Sequence, residues 1–315
     1  MKGFLPDQTR ISRVHLRTAR LEELLQFYCG ILGLTAASSP GSHAVVSAAP
    51  QEPGLIELTE DKQASLPPPR STGLYHLALR YATRKELAQV CQLLVQAGYP
   101  ILGASDHGVS EAIYLSDPQG NGIELYADRP RSEWQWKSGQ VEMVTKSLDL
   151  DNLLATSGGS SSGAQPRRHV ELGHIHLHVA DLAAAERFYS EFVGFSVTQR
   201  SYPGALFFAA GGYHHHIGVN VWAGKASPPP NSAGLISYRI EIPEAEIIYC
   251  LNHRAPLFGY ETRTIKASEE RAPMLQIRDP NGSWLEVQAA SHHSAAGGNP
   301  GQKHQPSHVL CESPD

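Results

Sequence analysis

The sequence predicts an α+β protein built from four tandem copies of one βαβββ module, and three observations predict it. A helix-like run, Leu21-Glu22-Glu23-Leu24-Leu25-Gln26-Phe27-Tyr28 ending at Leu32-Gly33-Leu34, returns 161 residues later as Leu182 through Phe188-Tyr189 to Val193-Gly194-Phe195. A turn with its following strand, Asp117-Pro118-Gln119-Gly120 and Ile123-Glu124-Leu125, returns 162 residues later as Asp279-Pro280-Asn281-Gly282 and Leu285-Glu286-Val287. Self-similarity at a fixed offset marks duplicated structural units. Each half also divides again, because each contains two successive strand–helix–strand patterns.

Module one, residues 11–60, opens with Val14-His15-Leu16, continues with an amphipathic helix from Leu21 and closes in Leu55-Ile56-Glu57-Leu58. Module two, 72–128, opens with Leu74-Tyr75-His76-Leu77-Ala78-Leu79. Its helix, Lys85 to Ala97, stops at Gly98, a residue that favours helix C-termini. Ile113-Tyr114-Leu115, the Asp-Pro turn and Ile123-Glu124-Leu125-Tyr126 follow. Module three, 170–223, opens with Gly173-His174-Ile175-His176-Leu177-His178-Val179 and closes with His214 to Asn220. Module four, 234–289, opens with Ile236-Ser237-Tyr238-Arg239-Ile240 and closes with Trp284-Leu285-Glu286-Val287.

The domain plan is therefore a first half at 11–128, a linker at 129–169 with a flexible Gly/Ser run at 157–163, a second half at 170–289 and a disordered tail at 290–315. Pro67-Pro68-Pro69 and Pro228-Pro229-Pro230 are stiff connectors inside the halves. The tail histidines (His292, His293, His304, His308) read as part of a solvated terminus.

Composition bounds the partners. The chain has 315 residues, 41% hydrophobic and 18% charged, with a net charge of −5. It offers no basic face for nucleic acid, and no apolar run is long enough to span a membrane. The start lacks an apolar signal-peptide core, and the four cysteines are scattered without a CxxC pair, which suggests structural thiols in a reducing, cytoplasmic setting.

Repeated modules with Phe-Tyr after the first strand and a closing Asp-Pro-x-Gly-x-x-x-Glu resemble the vicinal oxygen chelate superfamily of glyoxalases, bleomycin-resistance proteins and extradiol dioxygenases. The four-module length is similar to that of the bacterial catechol 2,3-dioxygenase group. Resemblance implies that modules pair into two open barrels and that metal ligands project inward from the first and last strands of a module. His107, Ile113-Tyr114, Asp117-Pro118, Gly120 and Glu124 follow the extradiol spacing; Ser105 departs from it.

On that pattern the first-strand positions are Arg13, His76, His174 and Ser237, and the last-strand positions are Glu57, Glu124, His214 or His216, and Glu286. Arginine keeps its proton and cannot ligate. Pairing one with two, or three with four, leaves each set short of a histidine. Pairing two with three collects His76, Glu124, His174 and His216, and leaves modules one and four as a degenerate barrel in which Glu57 pairs with Arg13. The favoured reading is the cross-half pairing, with sequential pairing as the alternative.

Two imidazoles and one carboxylate are the facial triad of non-haem Fe(II) oxygenases. The resemblance implies Fe(II), with Mn(II) the alternative, held by His76, His174 and Glu124. It implies His216 as acid/base, with His214 as the fallback, since an imidazole titrates near working pH. His107 and Tyr114 are expected to hydrogen-bond substrate oxygens. His215, on the opposite strand face under two-residue alternation, reads as packing. The expected activity is extradiol opening of catechol or a small substituted catechol by dioxygen to a muconic semialdehyde. A glyoxalase-like isomerase or lyase and a non-catalytic resistance-type binding protein are the competing readings. Homo-oligomerisation is left open.

Overall fold

A computed structural model describes residues 3–38, 41–158, 168–266 and 273–290. The run 159–163 and the tail from 291 lie outside the described residues. Among those described, no helix is long and apolar enough to cross a membrane.

The backbone forms two large mixed sheets, each an open barrel wall. One has nine strands in the order Lys146–Ser147, Gly103–Asp106, Ser110–Ser116, Gly122–Asp128, Gly73–Tyr81, Val170–His178, Ile217–Asn220, Ala205–Ala209 and Ser196–Gln199. At its centre the opening strands of modules two and three run antiparallel. The other sheet has eight strands and is centred on the antiparallel pair Arg10–Thr18 and Gly234–Ile242, from modules one and four. Sheet order thus joins two with three and one with four, so each barrel takes one module from each half of the chain.

Local sequence accounts for the elements that pack behind these sheets. The module-two helix, Arg84–Gln96, starts at Thr83, whose hydroxyl accepts from the Glu86 N–H while the Glu86 carboxylate accepts from the Thr83 N–H. Such a reciprocal cap satisfies two backbone donors that a helix start leaves free. The helices of modules one and three each begin as a short α-turn and widen into π-helix, at Gln26–Ile31 and Arg187–Val193. Within these turns Phe27, Tyr28, Phe188 and Tyr189 are all buried.

The Asp-Pro turns tie the modules to each other. Asp117 accepts from the Gln119 and Asn121 N–H groups at 2.9 Å, and Gly120 sits at φ +91°, where a side chain would be strained. The other Asp117 oxygen accepts from the buried Tyr28 hydroxyl at 3.1 Å. Asp279 repeats this with Tyr189 and Tyr238.

Segment 129–169 contains more structure than a plain connector. It carries a hairpin (Trp136–Lys137 with Gln140–Val141), the strand Lys146–Ser147 on the edge of the nine-stranded sheet, and a helix Leu150–Ala155 capped by Asp149. The two Pro-rich connectors bridge one another at Ser65–Ser232 and Ser71–Ala226. Cys29 and Cys91 are free thiols, Cys91 buried and Cys29 partly so.

Candidate metal centre and its cavity

Three adjacent strands build the centre by register. Ala78 on Gly73–Tyr81 stands opposite Glu124 of Gly122–Asp128 on one side and His174 of Val170–His178 on the other. Neighbours in such a row share a face, with Cβ atoms about 5 Å apart. His76 lies two residues along the middle strand on that same face. Ala78 itself is fully buried and packs with Ala112, Tyr126 and Tyr114. His76 Nε2 is 3.0 Å and His174 Nε2 is 3.3 Å from the same Glu124 oxygen. One ligand atom from each residue falls within 4.8 Å of the others.

Two bulges tune this wall. On the middle strand Tyr75 is the extra residue, so both Tyr75 and His76 line the cavity despite being consecutive. On the module-three strand the extra residue is Gly173. A Cβ there would stand 1.8 Å from the Tyr126 hydroxyl. Glycine is therefore what admits the Tyr126 ring, which packs on His174 with centroids 4.8 Å apart.

The donor set fits a divalent metal ion. His76, Glu124 and His174 are 5%, 3% and 1% exposed, and His76 Nε2 is buried with only the Glu124 oxygen beside it, at 3.0 Å and without hydrogen-bond alignment. A buried polar atom of that kind is costly unless something binds it. Burial alone would raise the Glu124 carboxyl, but the facing imidazoles of His174 and His76 hold it well below its usual range. Burial lowers His174 to about 4, opposed by Glu124. The set offers one carboxylate and two imidazole nitrogens, donor types that a divalent transition metal accepts.

A cavity of about 280 Å³ opens beside the triad. His107 and Tyr114, both expected near substrate, line it. His107 donates from Nδ1 to the Val144 carbonyl at 2.7 Å, which leaves Nε2 to accept the Tyr114 hydroxyl at 2.6 Å. Burial and the Glu124 charge push the Tyr114 phenol well above its usual value. Met143 and Thr145 also line the cavity; they come from the segment read as linker, and no sequence signal marked them.

The acid/base histidines need correction. Neither His216 nor His214 lines the cavity; His215 does. The closing strand of module three begins only at Ile217, so two-residue alternation does not extend to residues 214–216. His216 packs between Tyr213 and Phe195, and its Nδ1 accepts from the Ala210 N–H at 3.2 Å. His214 lies behind His215. It bonds Asp128 through Nε2 at 3.0 Å and His215 through Nδ1 at 2.7 Å. With His214 Nε2–H donated to the carboxylate, its Nδ1 accepts from His215 Nδ1–H, and His215 Nε2 is left for the cavity. Asp128 is held in turn by Arg80 and the Tyr213 hydroxyl. Glu124, Tyr126 and Asp128 alternate along one strand, so a single inward face supplies the carboxylate, the ring on His174 and the anchor of the histidine pair.

His176 and His178 share Asn220. Its amide N–H donates to His176 Nε2 at 3.0 Å, and its carbonyl oxygen accepts from His178 at 2.7 Å and from the Trp222 N–H. In the other barrel the equivalent positions are closed by ion pairs. Arg13 meets Glu57 at 3.2 Å, Arg239 meets Glu286 at 2.7 Å, and Ser237 donates to Glu286 at 3.0 Å.

A family model described as the Glyoxalase/Bleomycin resistance protein/Dioxygenase superfamily matches residues 10–125 and 171–287. The chain is 41% identical over 286 residues to a catechol-2,3-dioxygenase of Bacillus subtilis (strain 168), a match covering 89% of this chain and 97% of that protein. Over 131 residues it is 27% identical to biphenyl-2,3-diol 1,2-dioxygenase 2 of Rhodococcus globerulus, covering 38% of this chain and 63% of the relative. Similar solved structures include a putative dioxygenase from Bacillus subtilis, with TM-score 0.63, 11% identity and 92% and 86% of the two chains covered. Glyoxalase I from Zea mays follows, with TM-score 0.58, 13% identity and 90% and 92% covered. At those identities the structural likeness concerns the fold alone.

Proposed function

Because the chain belongs to the Glyoxalase/Bleomycin resistance protein/Dioxygenase superfamily and is an oxidoreductase of its dioxygenase branch, we propose that it opens catechols by extradiol cleavage, using Fe(II) held by His76, His174 and Glu124. The observation that carries this reading is the buried two-histidine, one-carboxylate set facing a cavity that also presents His215, His107 and Tyr114. Bound there, Fe(II) supplies the redox chemistry that brings a catecholate and dioxygen to react.

The side chains handle the protons. His215 takes a proton from a catechol hydroxyl and returns it later in the reaction. Burial holds its pKa well below the usual imidazole value, so at neutral pH Nε2 carries a free lone pair. His214 and Asp128 act through His215 by fixing its tautomer and orientation. Tyr114, its hydroxyl donated to His107, accepts through its phenol oxygen from a substrate hydroxyl. Both atoms of dioxygen enter the product, a muconic semialdehyde.

The test is anaerobic reconstitution with Fe(II), in parallel with Mn(II), followed by catechol in air. The expected outcome is a yellow ring-opened product and matching oxygen uptake with Fe(II). Absence of colour and of oxygen uptake across several catechols overturns the reading, and activity with Mn(II) alone overturns the choice of iron.

A further inference from the structure

The cavity has room and chemistry beyond those a bare diol ring uses. Its volume is about 280 Å³, whereas a cavity of about 150 Å³ already accepts benzene. From the triad outward one wall is aromatic. Tyr75 packs on His76, Trp222 stands 5.9 Å from Tyr75, and Tyr202 stands 6.1 Å from both Trp222 and Phe207, centroid to centroid. Trp222 and Tyr75 remain 46% and 39% exposed at the mouth.

Two of these rings, Trp222 and Tyr202, are held by hydrogen bonds. The Trp222 indole N–H donates to the Pro203 carbonyl at 3.0 Å, its backbone N–H is bound by Asn220, and the Tyr202 hydroxyl meets Thr145 Oγ1 at 3.0 Å. Exposed aromatic surface that is already ordered binds apolar groups at little entropic cost.

Charge points the same way. The described lining residues include no Lys or Arg, and Glu124 is their one carboxylate. Arginines close in sequence to the lining are already paired, Arg80 with Asp128 and Glu171, Arg129 with Asp106 and Glu111, Arg200 with Glu186, and Lys146, which follows Thr145, is exposed on the sheet edge and is not among the lining residues. A substituent carboxylate held against this aromatic wall loses its hydration and meets no cationic side chain among the lining residues.

Resting on the catechol reading above, we propose that the substrate is a catechol bearing an uncharged apolar substituent, aryl or branched alkyl, seated against Tyr75, Tyr202 and Trp222, and that carboxylate-bearing catechols are rejected. Trp222 is then a specificity-determining residue.

The experiment is anaerobic calorimetric binding to the Fe(II)-loaded full chain, with catechol, phenylcatechol, tert-butylcatechol and protocatechuate as probes. The better of the two apolar-substituted diols is expected to bind at least about tenfold tighter than catechol, and protocatechuate at least about tenfold weaker. Trp222→Ala is expected to shrink the apolar preference by about tenfold, and Trp222→Phe to retain most of it. Equal affinity for all four probes, or a preference unmoved in both variants, overturns the proposal while leaving the catechol reading standing. Failure of every diol to bind metal-loaded protein overturns the catechol reading itself.

Discussion

Glu124 shows how one side chain depends on its surroundings for its state. Buried alone it would hold a proton; between two imidazoles it is ionised. The same burial keeps nearby histidines neutral: His174 is lowered to about 4 and His216 to about 3, with His176 and His215 well below the usual value. This has a consequence for stability. An unfolded histidine takes up a proton as pH falls below about 6.5, while these folded ones do not. The unfolded chain then binds more protons, so the stability these groups contribute is complete above about pH 6.5 and declines on acidification toward pH 4. Each such histidine steepens the decline by about 1.4 kcal/mol per pH unit within its window. Asp279, raised to about 6 by burial, and Asp117, also raised by burial, act in the opposite sense, but they are two groups against six lowered histidines, His15 and His178 included. With metal removed by chelation, the urea midpoint is expected to fall steadily between pH 7 and 5. A flat midpoint contradicts a buried neutral cluster.

At the scale of elements, the centre is a property of strand register. Ala78 sits in the row between Glu124 and His174, fully buried against Ala112 and Tyr126. Ala78→Leu overpacks this row without replacing a proposed ligand. Its expected outcome is a metal content reduced at least tenfold by elemental analysis, with far-ultraviolet circular dichroism retained and overpacking costing about 1–3 kcal/mol. Full metal occupancy in this variant would mean that the ion lies elsewhere. The bulges at Tyr75 and Gly173 belong to this scale as well, because they decide which consecutive residues face the cavity.

At the scale of the whole molecule, the proposed metal centre belongs to neither half of the chain. His76 and Glu124 come from one half and His174 and His215 from the other, joined by the antiparallel pair at the centre of the nine-stranded sheet. Each half expressed alone therefore presents an unpaired strand where its partner belongs. Neither half is expected to retain metal after desalting, whereas co-expressed halves recover it, as read by metal content. Tight metal binding by residues 1–158 alone would show that the second half is not needed for ligation.

Much of this was legible in the sequence. The two repeats, the Asp-Pro turns, the helix stop at Gly98 and the positions of His76, His174 and Glu124 follow from spacing and from likeness to a family, because hydrophobic period and turn chemistry are local. The roles of residues 214–216 were not, since alternation holds only inside a strand and this segment precedes one. Nor was the contribution of Met143 and Thr145, which reach the cavity only because their segment folds onto a sheet edge. Sequence by itself determined the modules and the residue types of the proposed centre. Tertiary structure alone decided that two joins three, that His215 rather than His216 meets the cavity, and that the described lining residues include no Lys or Arg, because strand pairing between distant segments and the direction of a loop side chain depend on contacts that no local pattern encodes.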